Sequence, residues 1–213
     1  MYIGRNSMLI KIGYSILVIL VAYCCGNFNG AIITSRSQYN SDVRNMGSGN
    51  AGLTNFYRCF GAAKMFLVVA IDIGKAFIAV FSGGIIMRAF GMEDFGQALA
   101  MLFVITGHMF PLAYEFKGGK GVLSAFGAML VINWRLTAML FLVYVILVAL
   151  FRYSSLGSIT VAALMPIGML HATDNAAVLL LLTVCAALVI FMHRGNIGRL
   201  LHGTESKLSF SKK

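Results

Sequence analysis

Seven apolar runs follow one another along the chain, and polar segments separate them. They cover roughly residues 9–25, 65–86, 96–113, 121–132, 134–151, 156–171 and 175–192. A helix needs about 20 apolar residues to cross the roughly 30 Å hydrocarbon core of a bilayer, so most runs are long enough, some only with their flanks. The pattern predicts an all-α integral membrane protein with about seven transmembrane helices.

The fourth run is short for a span, and Asn133-Trp134-Arg135 separates it from the fifth. One helix through both runs would exceed about 45 Å and would leave Arg135 in lipid, where a charge is costly. The pattern therefore favours a tight hairpin between two spans. We expect residues 1–213 to form a single polytopic membrane domain.

Composition and charge placement agree with seven spans. The chain is 59% hydrophobic and only 11% charged, with a mean hydropathy of +0.85. Cytoplasmic loops near helix ends carry an excess of Lys and Arg. Seven spans place twelve Lys and Arg residues inside, with Arg5, Lys11, Arg88 and Arg135 outside, whereas six spans give six inside against nine outside. We therefore expect an outside N-terminus, a cytoplasmic C-terminus and cytoplasmic loops at about 36–64, 107–121, 152–158 and 193–213.

A formal net charge of +10 is also typical of nucleic-acid-binding proteins. Here the positive-inside bias accounts for most of that charge, and anionic lipids or small phosphorylated substrates account for the rest. We expect no nucleic-acid partner. The four cysteines form neither a disulfide framework nor a zinc-site spacing, and the seven acidic residues form no magnesium cluster, so we expect no metal or cofactor.

The first polar segment reads Gly47-Ser48-Gly49-Asn50-Ala51-Gly52-Leu53-Thr54-Asn55-Phe56-Tyr57-Arg58. Its glycines match G-x-G-x-x-G, but that dinucleotide motif has meaning only within a βαβ unit, which this sequence does not predict. Glycines still allow backbone N–H groups to converge on an anion, and Arg58 can bind the same anion bidentately. A flexible connection is the alternative, although the concentration of polar donors favours a site.

The second segment contains Gly107-His108-Met109-Phe110-Pro111 and Phe116-Lys117-Gly118-Gly119-Lys120-Gly121. It is not a Walker A loop, because Tyr114 stands at the first glycine position and Gly121 replaces the Ser or Thr that binds magnesium. A Gly-Gly-Lys-Gly segment that opens a helix nevertheless suits phosphate. The alternative is a basic anchor at the membrane surface.

The third segment runs from His193 to Glu205, and helical spacing places His193, Asn196 and either Arg199 or Leu200 near one face. An ordinary basic helix end is the alternative. Ser158 is a weaker candidate, because a serine hydroxyl commonly bonds to its own helix. Asp72 and Lys75 are charges within a predicted span, and we interpret them first as a mutual ion pair.

Together, and in this order, the segments resemble the small bacterial membrane acyltransferases that transfer a fatty acyl group from acyl phosphate to glycerol 3-phosphate. The similarity covers nearly the whole chain and lies in residues 47–58, 72–75, 107–111, 116–121, 193–201 and 203–205. Leu53, Leu123-Ser124 and Gly195 depart from the usual pattern, and Gly195 replaces a usual Glu. The resemblance implies lysophosphatidic acid and phosphate as products, the first step of phospholipid synthesis, at the cytoplasmic face of a bacterial inner membrane.

The residue types also suit that chemistry independently of the resemblance. An acyl phosphate is activated already, so the protein must hold two phosphates, orient a hydroxyl and stabilise an oxyanion. The catalytic candidates are His108, His193, Asn196 and Ser48, and either a histidine or a substrate phosphate accepts the hydroxyl proton. The candidates for substrate and phosphate binding are Gly47, Ser48, Gly49, Asn50, Thr54, Asn55, Arg58, Lys117, Gly118, Gly119, Lys120, Gly121, Ser158, Arg199 and Glu205.

Two other functions fit less well. The H-x-x-x-x-D motif of thioester-dependent acyltransferases is absent, because Ala113 and Gly198 stand where the Asp would follow His108 and His193. A transporter of organic phosphate would place its contacts near the bilayer midplane, often with inverted repeats. The donors here are predicted at one membrane surface, and the sequence has no convincing internal repeat.

Overall fold

The computed structural model describes residues 2–208, with side chains from Met8 onward. Lys212, Lys213 and the rest of 209–213 lie outside the described residues, as does the Arg5 side chain. The helices are α1 (Tyr2–Gly26), α2 (Gly30–Tyr39), α3 (Leu53–Phe60), α4 (Met65–Arg88), α5 (Glu93–Met109), α6 (Val122–Ile132), α7 (Trp134–Phe151), α8 (Ser154–Met169), α9 (Ala176–Met192) and α10 (Arg194–Leu201). Residues 2–208 contain no β-strand, and the all-α prediction is confirmed.

Each of the seven predicted runs is a helix. By length and composition, four segments are able to cross a membrane: Met8–Tyr39, Met65–Arg88, Glu93–Tyr114 and Trp134–Phe151. The bent pair of α9 and α10 makes a fifth if it counts as one span, whereas α6 and α8 are shorter apolar helices. The seven-span count therefore stays a prediction.

Asn133 separates the fourth run from the fifth. α6 ends at Ile132, and the Asn133 side chain caps α7 by accepting a hydrogen bond from the backbone N–H of Leu136 at 3.0 Å. An N-cap side chain satisfies one of the unpaired N–H groups that begin a helix. The two runs are separate helices, as the sequence predicted.

The helices gather into two compact units, Met1–Ile132 and Asn133–Lys213. In the first unit, α4 and α5 pack against each other and both pack against α1 and α6. α1 and α5 cross closely at a pair of glycines, because a Cβ on Gly26 would lie 2.7 Å from the Cα of Gly107. This crossing brings the end of α1 beside the last turn of α5, next to His108.

An aromatic and aliphatic core lies beneath the first polar segment. Ile32 of α2, Val43, Phe56 of α3 and Val68 of α4 are all fully buried in one cluster. The rings of Tyr39 and Phe60 stack at a centroid distance of 4.5 Å at its edge. The segment between α2 and α3 therefore rests on a packed base.

In the second unit, α8 packs against both α7 and α9, and α10 contacts α8 and α9. Large apolar side chains on the outer helix faces are exposed, such as Ile78 at 62% and Leu150 at 71%. Extended apolar surface of this kind is unusual in a water-soluble monomer. It is the surface expected of helices that face lipid.

Candidate active site

α4 carries a buried ion pair in the first unit. Asp72 and Lys75 lie one turn apart, and the Lys75 Nζ is 2.8 Å from the Asp72 Oδ1. The same ammonium donates to the backbone carbonyl oxygens of Phe28 at 2.7 Å and Gly26 at 3.3 Å. The Asp72 Oδ1 also accepts from the backbone N–H of Gly30 at 3.0 Å. The predicted ion pair is confirmed, and it ties α4 to the turn between α1 and α2.

His108 joins this pair from the last turn of α5. Its Nδ1 lies 2.8 Å from the Lys75 Nζ and 3.5 Å from the Asp72 Oδ1, and the side chain is buried. The sequence analysis did not predict that His108 contacts Asp72 and Lys75. Such a contact could have been expected, because polar groups inside apolar helices usually pair with one another.

The second glycine segment folds back over His108. The backbone N–H groups of Gly118 and Gly119 each donate, at 3.1 Å, to the carbonyl oxygens of Met109 and His108 respectively. A side chain on Gly119 would collide with the His108 Nε2 and would come 2.6 Å from the Ala51 carbonyl oxygen. Only glycine fits at this point, where the first and second glycine segments meet.

The remaining residues of the second segment surround that contact. Gly121 has a φ of +80° and leads into α6, so the segment opens a helix as predicted. Lys120 is half-buried, whereas Lys117 is exposed and lies 3.1 Å from Glu115. Lys117 and Lys120 thus flank the two glycines that pack on His108 and Pro111.

Asn55 shapes the first segment from within. Its Nδ2 donates to the carbonyl oxygens of Val43 and Met46, both at 3.0 Å, and its Oδ1 accepts from the Ser48 N–H at 2.8 Å. The side chain is buried, and the Gly47 φ of +57° lets the turn pass around it. Asn55 therefore contacts the segment itself.

The other candidates of the first segment lie nearer solvent. Gly47, Ser48, Gly49 and Arg58 are exposed, and Asn50 and Thr54 are half-buried. Arg58 lies in the last turn of α3. These residues can be reached from solvent through their side chains, whereas the N–H groups of Ser48 and Gly49 donate within the segment.

Asn29 and Arg44 are structural residues that the sequence did not single out. The Asn29 Nδ2 donates to the Ala51 carbonyl oxygen at 3.1 Å, while its Oδ1 caps α2. The Arg44 guanidinium bonds to Asp42 at 2.8 Å and to the Tyr114 carbonyl oxygen at 2.9 Å. Hydrogen bonds from Arg44 hold the pKa of Asp42 well below its usual range. Asn29 therefore ties the start of α2 to the first glycine segment. Arg44, which precedes that segment, bonds to Tyr114, which leads into the second.

In the second unit, Glu205 is the centre of a hydrogen-bonded cluster. Its carboxylate accepts from the Ser155 hydroxyl at 2.7 Å, the Asn196 Nδ2 at 2.6 Å and the Arg199 Nε at 2.7 Å. Although partial burial opposes ionisation, these three donors lower the pKa of Glu205 below its usual value. The sequence predicted Asn196, Arg199 and Glu205 but missed Ser155.

His193 lies at the junction of α9 and α10 and is buried. Its Nδ1 is 2.7 Å from the Val189 carbonyl oxygen. A carbonyl only accepts, so Nδ1 carries the hydrogen and Nε2 is the accepting nitrogen of the neutral ring. Ser158 donates its hydroxyl hydrogen to the Ser154 carbonyl oxygen of its own helix at 2.9 Å.

The structure thus gathers the first two segments around His108 in the first unit, and the third segment around Glu205 in the second. Across residues 2–208, no group of three or more His, Cys, Asp and Glu side chains is placed to hold a metal ion. The donors in the described residues are N–H, hydroxyl, ammonium and guanidinium groups. Such groups bind phosphates and oxyanions.

Comparison with known proteins points to one family. The family profile described as glycerol-3-phosphate acyltransferase matches residues 16–203. The glycerol-3-phosphate acyltransferase of Clostridioides difficile (strain 630) is 36% identical over 198 residues, covering 92% of this chain and 97% of the relative. That of Pseudoalteromonas translucida (strain TAC 125) is 37% identical over 196 residues, covering 92% and 94%.

Two solved structures are also similar, and both are of PlsY (YgiH), described as an integral membrane glycerol 3-phosphate acyltransferase. The glycerol 3-phosphate form has a TM-score of 0.83 at 33% identity and covers 92% of this chain and 96% of that chain. The lysophosphatidic acid form has a TM-score of 0.81 at 31% identity, with coverage of 92% and 95%. The chain described here is an all-α integral membrane protein.

Proposed function

This chain belongs to the glycerol-3-phosphate acyltransferase family, and from that premise we propose that it uses an acyl phosphate as its acyl donor. The fatty acyl group passes to the 1-hydroxyl of glycerol 3-phosphate, and the products are lysophosphatidic acid and phosphate. This is the first step of phospholipid synthesis. Structures of a related protein in glycerol 3-phosphate and lysophosphatidic acid forms support the acceptor and the product.

The observation that carries the proposal is the meeting of the two glycine segments over His108. Gly119 lies between the His108 ring and the Ala51 carbonyl oxygen, with no room for a side chain. This contact places Lys117 and Lys120 beside the first segment, which bears Ser48 and an exposed backbone. Two substrates with a phosphate each require such a concentration of cationic and polar side chains.

The chemistry needs no covalent enzyme intermediate. The glycerol hydroxyl oxygen attacks the acyl carbonyl carbon, and the carbonyl electrons move onto an oxyanion that nearby donors stabilise. When the oxyanion collapses, the bond between the acyl carbon and the phosphate oxygen breaks. The proton of the hydroxyl leaves with the released phosphate. A mixed anhydride has a good leaving group, so positioning and charge neutralisation suffice.

Within the first unit we assign phosphate binding to Arg58, Lys117 and Lys120. The segment Gly118–Gly121 positions the two lysines, because the N–H groups of Gly118 and Gly119 already donate to Met109 and His108. Ser48, Asn50 and Thr54 donate to a phosphate or to the oxyanion. Asn55 acts by holding the turn through Ser48. In the second unit, His193 and Asn196 contact substrate, and Glu205 and Arg199 hold Asn196 in place.

The proposed setting is the inner membrane of a bacterium, with seven spans, an outside N-terminus and the glycine segments on the cytoplasmic face. Water-soluble glycerol 3-phosphate reaches that face from the cytoplasm, while an acyl tail remains in lipid. The topology is tested with single cysteines in a variant whose four native cysteines are replaced. We expect a membrane-impermeant maleimide added to intact spheroplasts to label Asp94→Cys and to spare Glu115→Cys; the opposite pattern would refute this orientation.

Activity is tested with purified protein in lipid nanodiscs, supplied with radiolabelled glycerol 3-phosphate and a long-chain acyl phosphate. We expect labelled lysophosphatidic acid and an equal amount of phosphate, without coenzyme A or acyl carrier protein. Product from acyl coenzyme A, and none from acyl phosphate in several lipid compositions, would show that the proposed donor is wrong.

A matched pair of substitutions assigns the reaction to the proposed site. Arg58→Lys keeps the charge but removes bidentate contact with a phosphate, so we expect kcat/KM to fall roughly tenfold or more. Arg135→Lys makes the same exchange at an exposed arginine outside the glycine segments and should leave kcat/KM unchanged. Equal activity in the two variants would contradict the role of Arg58.

A further inference from the structure

The Lys75 ammonium has four neighbours, and three of them are oxygen atoms that only accept hydrogen bonds. These are the Asp72 Oδ1 at 2.8 Å and the carbonyl oxygens of Phe28 at 2.7 Å and Gly26 at 3.3 Å. A buried carboxylate requires a positive partner, and Lys75 supplies it. Lys75 is therefore the donor throughout this cluster, with three hydrogens and no lone pair to offer.

The fourth neighbour is the His108 Nδ1, 2.8 Å from the same ammonium nitrogen. If Nδ1 carried a hydrogen, two donors would face each other at hydrogen-bonding distance. Nor does Asp72 stabilise such a hydrogen, since its Oδ1 is 3.5 Å away, beyond the usual range of about 2.7–3.2 Å. Nδ1 is therefore an acceptor, and the ring hydrogen is on Nε2.

The Nε2 atom faces the second glycine segment at Gly119, whose missing side chain leaves the ring in contact with the backbone. Within residues 2–208, no protein group accepts a hydrogen bond from it. Gly119 lies between the two lysines proposed to bind phosphate. A donor hydrogen at this place points to an oxygen of a bound substrate.

We propose that Asp72 and Lys75 are positioning residues that hold His108 in its Nε2–H tautomer, and that His108 donates a hydrogen bond to a substrate oxygen beside Gly119. His108 is then a donor to the phosphate or oxyanion and does not accept the hydroxyl proton. The inference rests on the proposed acyl transfer for its substrate, whereas the tautomer itself is a property of the protein alone.

The tautomer is tested by nuclear magnetic resonance of protein labelled with ¹⁵N-histidine in nanodiscs, with His108→Gln to assign the signal among four histidines. The expected signal has a protonated Nε2 and an unprotonated Nδ1. A protonated Nδ1, in either the other tautomer or an imidazolium, would overturn the proposal. Acyl transfer is measured on the same sample, so absence of product refutes the proposed function without affecting the tautomer result.

A pair of substitutions at His108 tests the donor role. The Gln side chain presents an N–H near the position of Nε2 but cannot take a proton at neutral pH, whereas Ala presents neither group. Loss of one oxyanion donor typically lowers kcat by about 10²–10³-fold. We expect that loss for His108→Ala, and a loss of at most about tenfold for His108→Gln. Equal losses in both variants would overturn the donor role.

The positioning role is tested by exchanging the ion pair as a unit. Asp72→Asn with Lys75→Met removes both charges together and so avoids leaving one buried and unpaired. We expect kcat to fall about tenfold or more with little change in KM, and the His108 signals to report a mixture of tautomers. The matched control is Glu93→Gln with Arg88→Met, which removes an exposed ion pair at the other end of α4. This control should change neither kcat nor the His108 tautomer. A single Nε2–H tautomer in the Asp72/Lys75 variant would overturn the role of the pair.

Discussion

A single methyl group on Gly119 should be costly, because this residue lies at the junction of the two glycine segments. A Cβ there would collide with the His108 Nε2 and would lie 2.6 Å from the Ala51 carbonyl oxygen. Backbone on one side and a buried ring on the other cannot move aside as a flexible side chain can. Gly119→Ala must therefore displace the segment that carries Lys117 and Lys120.

Overpacking of this kind typically costs about 1–3 kcal/mol. If about 2 kcal/mol were lost from transition-state stabilisation, kcat/KM would fall about 30-fold. The displaced segment also carries the phosphate-binding lysines, so we expect KM for glycerol 3-phosphate to rise. The assay is steady-state acyl transfer in nanodiscs, with thermal unfolding measured in parallel.

Gly13→Ala is the matched control, because Gly13 lies on α1 with nothing within 4 Å of an added Cβ. Alanine is favoured over glycine in a helix by roughly 0.8–1 kcal/mol, so stability should be kept or improved and activity unchanged. Wild-type kcat/KM and unfolding temperature for Gly119→Ala would refute the packing argument and the proposed meeting of the two segments.

Three further outcomes follow from the hydrogen bonds described above. Glu205→Gln should lower the free energy of unfolding by about 1–3 kcal/mol, because it weakens bonds from three donors. Since the pKa of Glu205 is lower in the folded state, the stability that its carboxylate contributes should be present above the ordinary pKa of 4.5 and lost as pH falls below it. Chemical denaturation at several pH values measures both effects. Ser155→Ala should destabilise the protein, whereas Ser158→Ala, whose hydroxyl bonds to its own helix, should keep KM and unfolding temperature near wild type. Asn55→Ala should leave three backbone groups of the turn without their partner and lower kcat/KM at least tenfold, measured by acyl transfer beside an unfolding control.

The long helices were predictable because each follows from a local pattern of consecutive apolar residues. The short helices α2 and α3 lie inside segments that the sequence presented only as polar connections, whereas helical spacing was already recognised in the segment that forms α10. Their mixed composition does not distinguish a helix from a loop, and packing decides the outcome. Phe56 of α3, for example, is fully buried against Ile32 of α2, which a reading of either segment alone does not reveal.

The sequence showed candidate site residues where donors cluster along the chain. It did not show their partners where these lie far away in sequence. Ser155 binds Glu205 across 50 positions, and Asn29 binds the Ala51 carbonyl across 22. Neither residue belongs to a motif. The sequence predicted Asn55 as a residue that binds substrate or phosphate, and only the fold shows that its amide is used within the glycine segment.

The two candidate bases illustrate the same limit most clearly. In sequence, His108 and His193 are equivalent, since each follows an apolar helix and precedes a glycine-containing segment. Their roles depend on the group that faces Nδ1: an ammonium at His108 and a backbone carbonyl at His193. The ammonium requires an acceptor and puts the hydrogen on Nε2, whereas the carbonyl requires a donor and leaves a lone pair on Nε2 of the neutral ring. A histidine that accepts the hydroxyl proton through Nε2 is therefore incompatible with the surroundings of His108.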